Sequence, residues 1–183
     1  MPNEASKNHN RRVNNGDFEK YFVGKGIDIG AGSDPVVEGC DVWDKPQGDA
    51  ALLVGLQNDS YDFVHASHCL EHFAEPEKVL ARWWEILKPG GHLIVTVPDW
   101  FLYEKKTWPS KGNADHKSIF TVQSLCWLAS QTLVMHGGQI IRVQLNDTDF
   151  DYSDHETDQT TKATTQAEIE LIVRKQKDVF WCA

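Results

Sequence analysis

Apolar residues along this chain fall in short blocks whose spacing alternates between that of a buried strand and that of an amphipathic helix. The first block, residues 25–30, sets Ile27 and Ile29 around Asp28 and breaks at Gly30. It predicts a buried strand ending in a tight turn, where Gly30 and Gly32 can take φ > 0 and let a ligand lie against bare backbone. Asp34-Pro35 then offers a helix start, with the aspartate as cap and the proline in the first turn. A second strand follows almost at once, over residues 39–42. A parallel crossover normally takes a dozen residues or more, so the first one here is abbreviated. Residues 49–54 predict a third strand, and residues 61–66 a fourth, entered from the polar turn Asn58-Asp59-Ser60. Val79, Leu80, Trp83, Ile86 and Leu87 recur at helical spacing over residues 75–88, and Lys88-Pro89-Gly90-Gly91 stops that helix. A β run over 92–97 ends at Pro98, and a mixed aromatic and polar loop spans 99–117. A helix over 121–136 follows, with Thr121 or Ser118 near its cap and Gly137-Gly138 at its end. The last two strands cover 139–145 and 168–174, joined by an acidic, Thr-rich, solvated loop over 146–165.

Strands alternating with helices, closed by two strands and a loop, predict an α/β fold whose sheet is parallel except for a final antiparallel strand. Such sheets bind ligands outside the carboxyl ends of their strands. At 183 residues, 40% hydrophobic and 25% charged, the chain suits a single globular domain over 21–183 behind a flexible, polar tail over 1–20. Residues 1–15 lack the apolar core of a signal peptide, and no apolar run is long enough to span a membrane. The formal charge of −9, without a basic stripe, argues against a nucleic-acid partner. Cys40, Cys69, Cys126 and Cys182 form no C-x-x-C pair and read as reduced thiols of a cytoplasmic protein.

Four segments, taken in order, carry a family likeness: Ile27-Asp28-Ile29-Gly30-Ala31-Gly32, Tyr61-Asp62-Phe63-Val64, Ser67-His68-Cys69-Leu70-Glu71-His72 and Leu87-Lys88-Pro89-Gly90-Gly91-His92-Leu93. In this order and spacing the chain resembles the class I S-adenosylmethionine (AdoMet)-dependent methyltransferases, especially small members acting on small molecules or glycans. The resemblance implies a Rossmann-like sandwich around a seven-stranded, mostly parallel sheet. It also implies AdoMet as cofactor, held at Asp28, Gly30, Ala31 and Gly32. An acidic residue at the end of the second strand then grips the ribose hydroxyls, for which Asp41 matches best and Asp44 is the reserve. Asp49 corresponds to the residue facing the adenine amino group, and residues 66–68, with Ser67 and His68, to the methionine end. Two departures stand out: the helix after the glycine turn is missing, and Pro35 stands near where a third glycine would fall. The first leaves one cofactor flank to be covered, and a homodimer is one way to cover it.

The loop after the fifth expected strand offers acceptor-side chemistry. Methyl transfer from a sulfonium is an in-line displacement, so alignment and exclusion of water dominate, and a base near neutrality helps when the acceptor is a hydroxyl or amine. His116 is the expected base, with Tyr103, Glu104 and Asp115 orienting it. Trp100, Trp108 and Trp181 could stack on a sugar or form a lid. His68, Glu71 and His72 are metal-type residues, but with one i,i+4 imidazole pair and no further cluster, no metal is expected and a structural role is preferred. Two other functions fit the same glycine turn: a non-catalytic AdoMet-binding scaffold, and a nicotinamide or nucleotide-sugar Rossmann enzyme. The lack of G-x-x-x-x-G-K-[ST] excludes a P-loop enzyme.

Overall fold

The computed structural model describes residues 4–154 and 158–177. Its centre is a six-stranded sheet with strands β1 (Gly26–Ile29), β2 (Asp41–Trp43), β3 (Tyr61–Ser67), β4 (Leu87–Pro98), β5 (Gly138–Asn146) and β6 (Glu168–Lys175), in the order β2-β1-β3-β4-β6-β5. The first four run parallel, and β6 lies antiparallel between β4 and β5. Both faces of β1, β3 and β4 are covered, which is why these strands read as nearly continuous apolar runs. Gly26 is required by packing: a Cβ there would sit 1.8 Å from the Phe63 ring.

The third strand expected, over 49–54, does not form, which leaves six strands in place of seven. Leu53 is fully buried while Leu52 and Val54 are exposed, so the segment is a set of turns pinned at one residue. Its carbonyl groups are satisfied by side chains rather than by a ladder. Arg82 donates to the carbonyls of Leu52, Leu53 and Leu56, and Trp83 Nε1 donates to that of Ala50 at 2.9 Å. Both residues lie on a helix, Pro76–Ile86, that buries Val79, Leu80, Trp83, Trp84 and Ile86 against the sheet. The helix stops two residues before the expected end, because Leu87 is already extended and opens β4. On the same face a second long helix, Val122–Thr132, starts at a reciprocal cap in which Ser124 N–H donates to Thr121 Oγ1 and Thr121 N–H to Ser124 Oγ.

The expected flexible tail is instead structured over its described part. Residues Glu4–Lys7, His9–Asn15 and Asp17–Tyr21 form α1, α2 and α3, and the chain packs Ala5 and Phe22 with Val36, Phe63, Ile94 and Ile172 on the opposite sheet face. In chain order the two longer helices are α4 (Pro76–Ile86) and α5 (Val122–Thr132). Arg12 and Asn8 of the N-terminal segment are fully buried. Residues 30–40, where Asp34-Pro35 predicts a helix, contain none; Asp34 accepts from Ser6 N–H and Ser6 Oγ instead. The N-terminal helices therefore cover the flank that the abbreviated crossover leaves open. In the loop expected to be solvated, Gln159 is buried and donates to the carbonyls of Asp151 and Asp154.

Candidate active site

The glycine turn after β1 divides two cavities. Gly30 has φ +79° and Gly32 φ +58°, and a Cβ on Gly30 would meet Cys69 at 3.0 Å, so side chains are excluded where a ligand would pass. One cavity, about 330 Å³, is lined by Gly30, Trp43, Asp44, Asp49, Cys69 and Phe73 among others. The other, about 270 Å³, is lined by residues that include Gly30, Ala31, Gly32, Ser67, Glu71 and His116. Gly30, His68 and His72 border both. Two pockets joined across a backbone turn suit a two-ended ligand.

The first cavity holds Asp44 and Asp49. Asp44 follows the last residue of β2, and its Oδ2 accepts from Gly32 N–H at 2.9 Å, which ties the glycine turn to the neighbouring strand. Asp49 lines the same cavity and accepts from Ala51 N–H. Asp41 does not reach it. That residue begins β2, pairs in register with Ile27, is half exposed, and accepts from the Tyr61 hydroxyl at 3.0 Å. Burial and the Asp41 charge push the Tyr61 hydroxyl up to about 12. The expectation that favoured Asp41 fails because β2 begins at Asp41 and ends at Trp43, one residue beyond the expected strand. Cys69 is no nucleophile, since burial pushes its thiol well above the ordinary range.

Asp28 is buried and engaged with the protein itself: Oδ1 pairs with His65 Nδ1 at 2.7 Å and Oδ2 accepts from Val36 N–H at 2.7 Å. Its Oδ2 anchors the loop at Val36 while the residue also borders the second cavity. Arg12 has only donors, so its contact of 3.1 Å with His65 Nε2 makes that nitrogen the acceptor and puts the ring hydrogen on Nδ1, toward Asp28. Arg12 also donates to Glu170, which Arg11 and Arg142 reach as well. Burial alone would raise the Glu170 carboxyl, but these guanidinium groups outweigh it and hold it at about 2. A line of hydrogen bonds thus runs from the N-terminal helices to the glycine turn.

In the second cavity Ser67 Oγ is buried without a hydrogen-bond partner, the kind of group that a bound ligand satisfies. His68 takes φ +49° and pairs Nε2 with Glu168 Oε2 at 2.9 Å. Non-glycine residues in that conformation concentrate at functional sites. Burial would raise Glu168, but the His68 and Asn8 hydrogen bonds and the Arg12 charge outweigh it and lower the carboxyl. His116 comes from the loop after β4, held beside the short 3-10 turn Leu70–His72 because Lys117 and Ser118 N–H groups both donate to the Glu71 carbonyl. Its Nδ1 lies 2.5 Å from Glu104 Oε1, and Nε2 faces the Glu71 carboxylate at 3.8 Å. Tyr103 lies between the His116 and His68 rings, 5.6 and 5.7 Å away by centroid.

The structure thus brings Tyr103, Glu104 and His116 together, but not the carboxylate of Asp115. Asp115 is exposed and reaches the site through its carbonyl oxygen, 3.3 Å from His72 Nδ1. Trp100 and Trp108 line neither cavity, and Trp181 lies outside the described residues. Glu71, His72, Asn113 and Ala5 line the second cavity. Only the H-x-x-E-H spacing signalled Glu71 and His72. The approach of His116 to Glu71 joins distant segments, which no local pattern could reveal. Among the described residues no helix is long and apolar enough to cross a membrane.

Comparison with known proteins bears on what this geometry is. A 34% identical stretch of 47 residues matches phosphoethanolamine N-methyltransferase 2 of Caenorhabditis elegans, covering 26% of this chain and only 11% of that protein. In structure, a SAM-dependent methyltransferase from Archaeoglobus fulgidus superposes with a TM-score of 0.60 at 16% identity, over 93% of this chain and 94% of the other. The [4+2]-cyclase SpnF superposes with a TM-score of 0.58 at 15% identity, over 91% and 82%. These likenesses concern the fold alone. The model of the family described as "Methyltransferase domain" matches residues 9–132, from the N-terminal helices through α5. With that span and the parallel sheet turning at paired glycines, the chain belongs to the methyltransferase-domain family, in the class I AdoMet-dependent group.

Proposed function

We propose that the chain transfers a methyl group from AdoMet to a small-molecule or sugar-like acceptor. The observation that carries this is the pair of cavities meeting at Gly30, with Asp44 and Asp49 on one side and Ser67, Tyr103 and His116 on the other. When bound, AdoMet supplies an electrophilic methyl on a sulfonium sulfur. Asp44 holds the ribose hydroxyls and Asp49 faces the adenine amino group. Ser67 Oγ and the backbone of residues 30–32 hold the methionine end. The acceptor occupies the remainder of the second cavity, between Tyr103, Asn113 and the His72 and His116 rings. Glu104 fixes the His116 ring so that its Nε2 faces the cavity, as positioning a base requires. The burial of His116 and Glu71 keeps water from competing for the methyl. A cavity of about 270 Å³ suits a compact acceptor or the end of a glycan rather than a polymer groove.

Calorimetric titration with S-adenosylhomocysteine, the demethylated cofactor, tests the cofactor half; saturable binding is expected, and its absence overturns the proposal. Because the same fold also serves a [4+2]-cyclase, the transfer half needs its own assay. Label from methyl-tritiated AdoMet should pass to a low-molecular-weight acceptor fraction. Binding without any such transfer supports the scaffold reading instead.

A further inference from the structure

Methyl transfer as described leaves the Glu71 carboxylate without a task, although it forms the floor of the acceptor cavity. It is 1% exposed, and neither oxygen has a hydrogen-bond partner. Three imidazole nitrogens stand 3.8 Å from its Oε1: His68 Nδ1, His72 Nε2 and His116 Nε2. That is too far for a hydrogen bond and close enough for a shared occupant.

The tautomers of two of these rings are set by their other nitrogen. His72 Nδ1 lies 3.3 Å from the Asp115 carbonyl, which can only accept, so Nδ1 carries the hydrogen. His116 Nδ1 faces the Glu104 carboxylate at 2.5 Å, another acceptor. In the neutral rings, both Nε2 lone pairs therefore point at Glu71. Acceptors aimed at acceptors in a buried place repel, and a cation among them removes the conflict. The ligand atoms of Glu71, His72 and His116 all lie within 4.8 Å of one another.

We propose that Glu71, His72 and His116 bind one divalent transition-metal ion through a carboxylate oxygen and two imidazole nitrogens. Two nitrogens and one oxygen suit Zn²⁺, Co²⁺, Mn²⁺ or Fe²⁺ better than Ca²⁺ or Mg²⁺, which prefer oxygen. Glu104 and the Asp115 carbonyl are the outer partners that orient the two rings. All three ligands border the acceptor cavity, so the open coordination positions face the acceptor. Resting on the methyltransferase reading, the site narrows the acceptor to a hydroxyl compound. A bound ion would supply Lewis-acid polarisation of the acceptor hydroxyl, whose proton would pass to bulk water. An oxygen electron pair then takes the methyl while the sulfur–carbon bond breaks onto sulfur. In that arrangement His116 is a ligand rather than a base.

The test is a titration of the whole, chelator-stripped chain with Co²⁺, followed by visible absorption and calorimetry. One ion per chain is expected, with d–d bands of nitrogen-ligated cobalt that Zn²⁺ abolishes. Glu71→Gln and His72→Gln should each weaken binding tenfold or more, whereas His136→Gln, at an exposed histidine, should not. Absence of saturable binding, or binding that Glu71→Gln retains in full, overturns the proposal. Should a variant fail to fold, the wild-type spectrum decides alone, nitrogen bands supporting the site and their absence refuting it. S-adenosylhomocysteine binding is measured on the same samples. Metal without nucleoside would sink the methyltransferase reading and keep the metal site, and nucleoside without metal would do the reverse.

Discussion

A carboxylate grips two neighbouring hydroxyls only from the place where those hydroxyls lie, and Asp41 and Asp44 differ in just that respect. Asp44 follows β2 beside Gly32, whereas Asp41 opens the strand beside Tyr61 and Lys25. Asp44→Ala should weaken S-adenosylhomocysteine binding by roughly 1–3 kcal/mol in calorimetry, the cost of losing a charge-assisted hydrogen-bond partner. Asp41→Ala should leave the affinity unchanged; the opposite pattern would return the ribose to Asp41. Both aspartates are visible in the sequence, but which one ends the strand is settled by register, with Ile29 opposite Trp43. The paired glycines, His116, Glu104 and Tyr103 were legible as candidates because residue type and loop position suffice for them. Asp115 was misjudged because its neighbour's ring faces inward while its own side chain faces water. The approach of Glu71 to His116 had no signal in the sequence, because only the folded chain brings the two near.

At the scale of elements, the N-terminal helices replace the missing crossover helix and are bolted to the sheet by buried charge. Removing Arg12 leaves Glu170 short of a partner inside the protein and frees His65 Nε2. Arg12→Ala should therefore cost about 3 kcal/mol or more in denaturant unfolding. Acid should act on the same place. Glu170 sits at about 2 in the fold against an ordinary 4.5, so the unfolded chain binds its proton first. Its stabilisation, about 3 kcal/mol by linkage, is full above pH 4.5 and is lost as pH falls toward 2. The stability gap between wild type and Glu170→Gln should accordingly shrink between neutral pH and pH 3, and a constant gap would contradict this. The strap over residues 49–56 offers a third test. Arg82→Ala removes the side-chain donor shared by three carbonyls, so protease cleavage within that segment should quicken while the rest of the chain stays resistant. Helices α4 and α5 and strands β1, β3 and β4 were legible from periodicity and stop signals. The strap was not, since its alternating pattern imitates a strand when only Leu53 is buried. Nor were the N-terminal helices, whose apolar anchors Ala5, Phe18, Tyr21 and Phe22 are few among polar neighbours.

At the scale of the whole molecule, sheet order places every candidate group except Asp41 at one edge, beyond the carboxyl ends of β1 to β4. The order of strands and helices along the chain implied that edge, while the network behind it joins residues a hundred or more positions apart and left no local trace. Function is a separate matter from fold, as the shared architecture with a cyclase makes plain. The central claim is that a sulfonium nucleoside lies across Gly30, adenosine toward Asp44 and Asp49, sulfur toward Ser67 and His68. A crystal structure grown with S-adenosylhomocysteine measures this most directly. The account predicts difference density bridging both cavities with the ribose hydroxyls within hydrogen-bond distance of Asp44. Density confined to one cavity, or a ribose turned away from Asp44 toward Asp41, would contradict it.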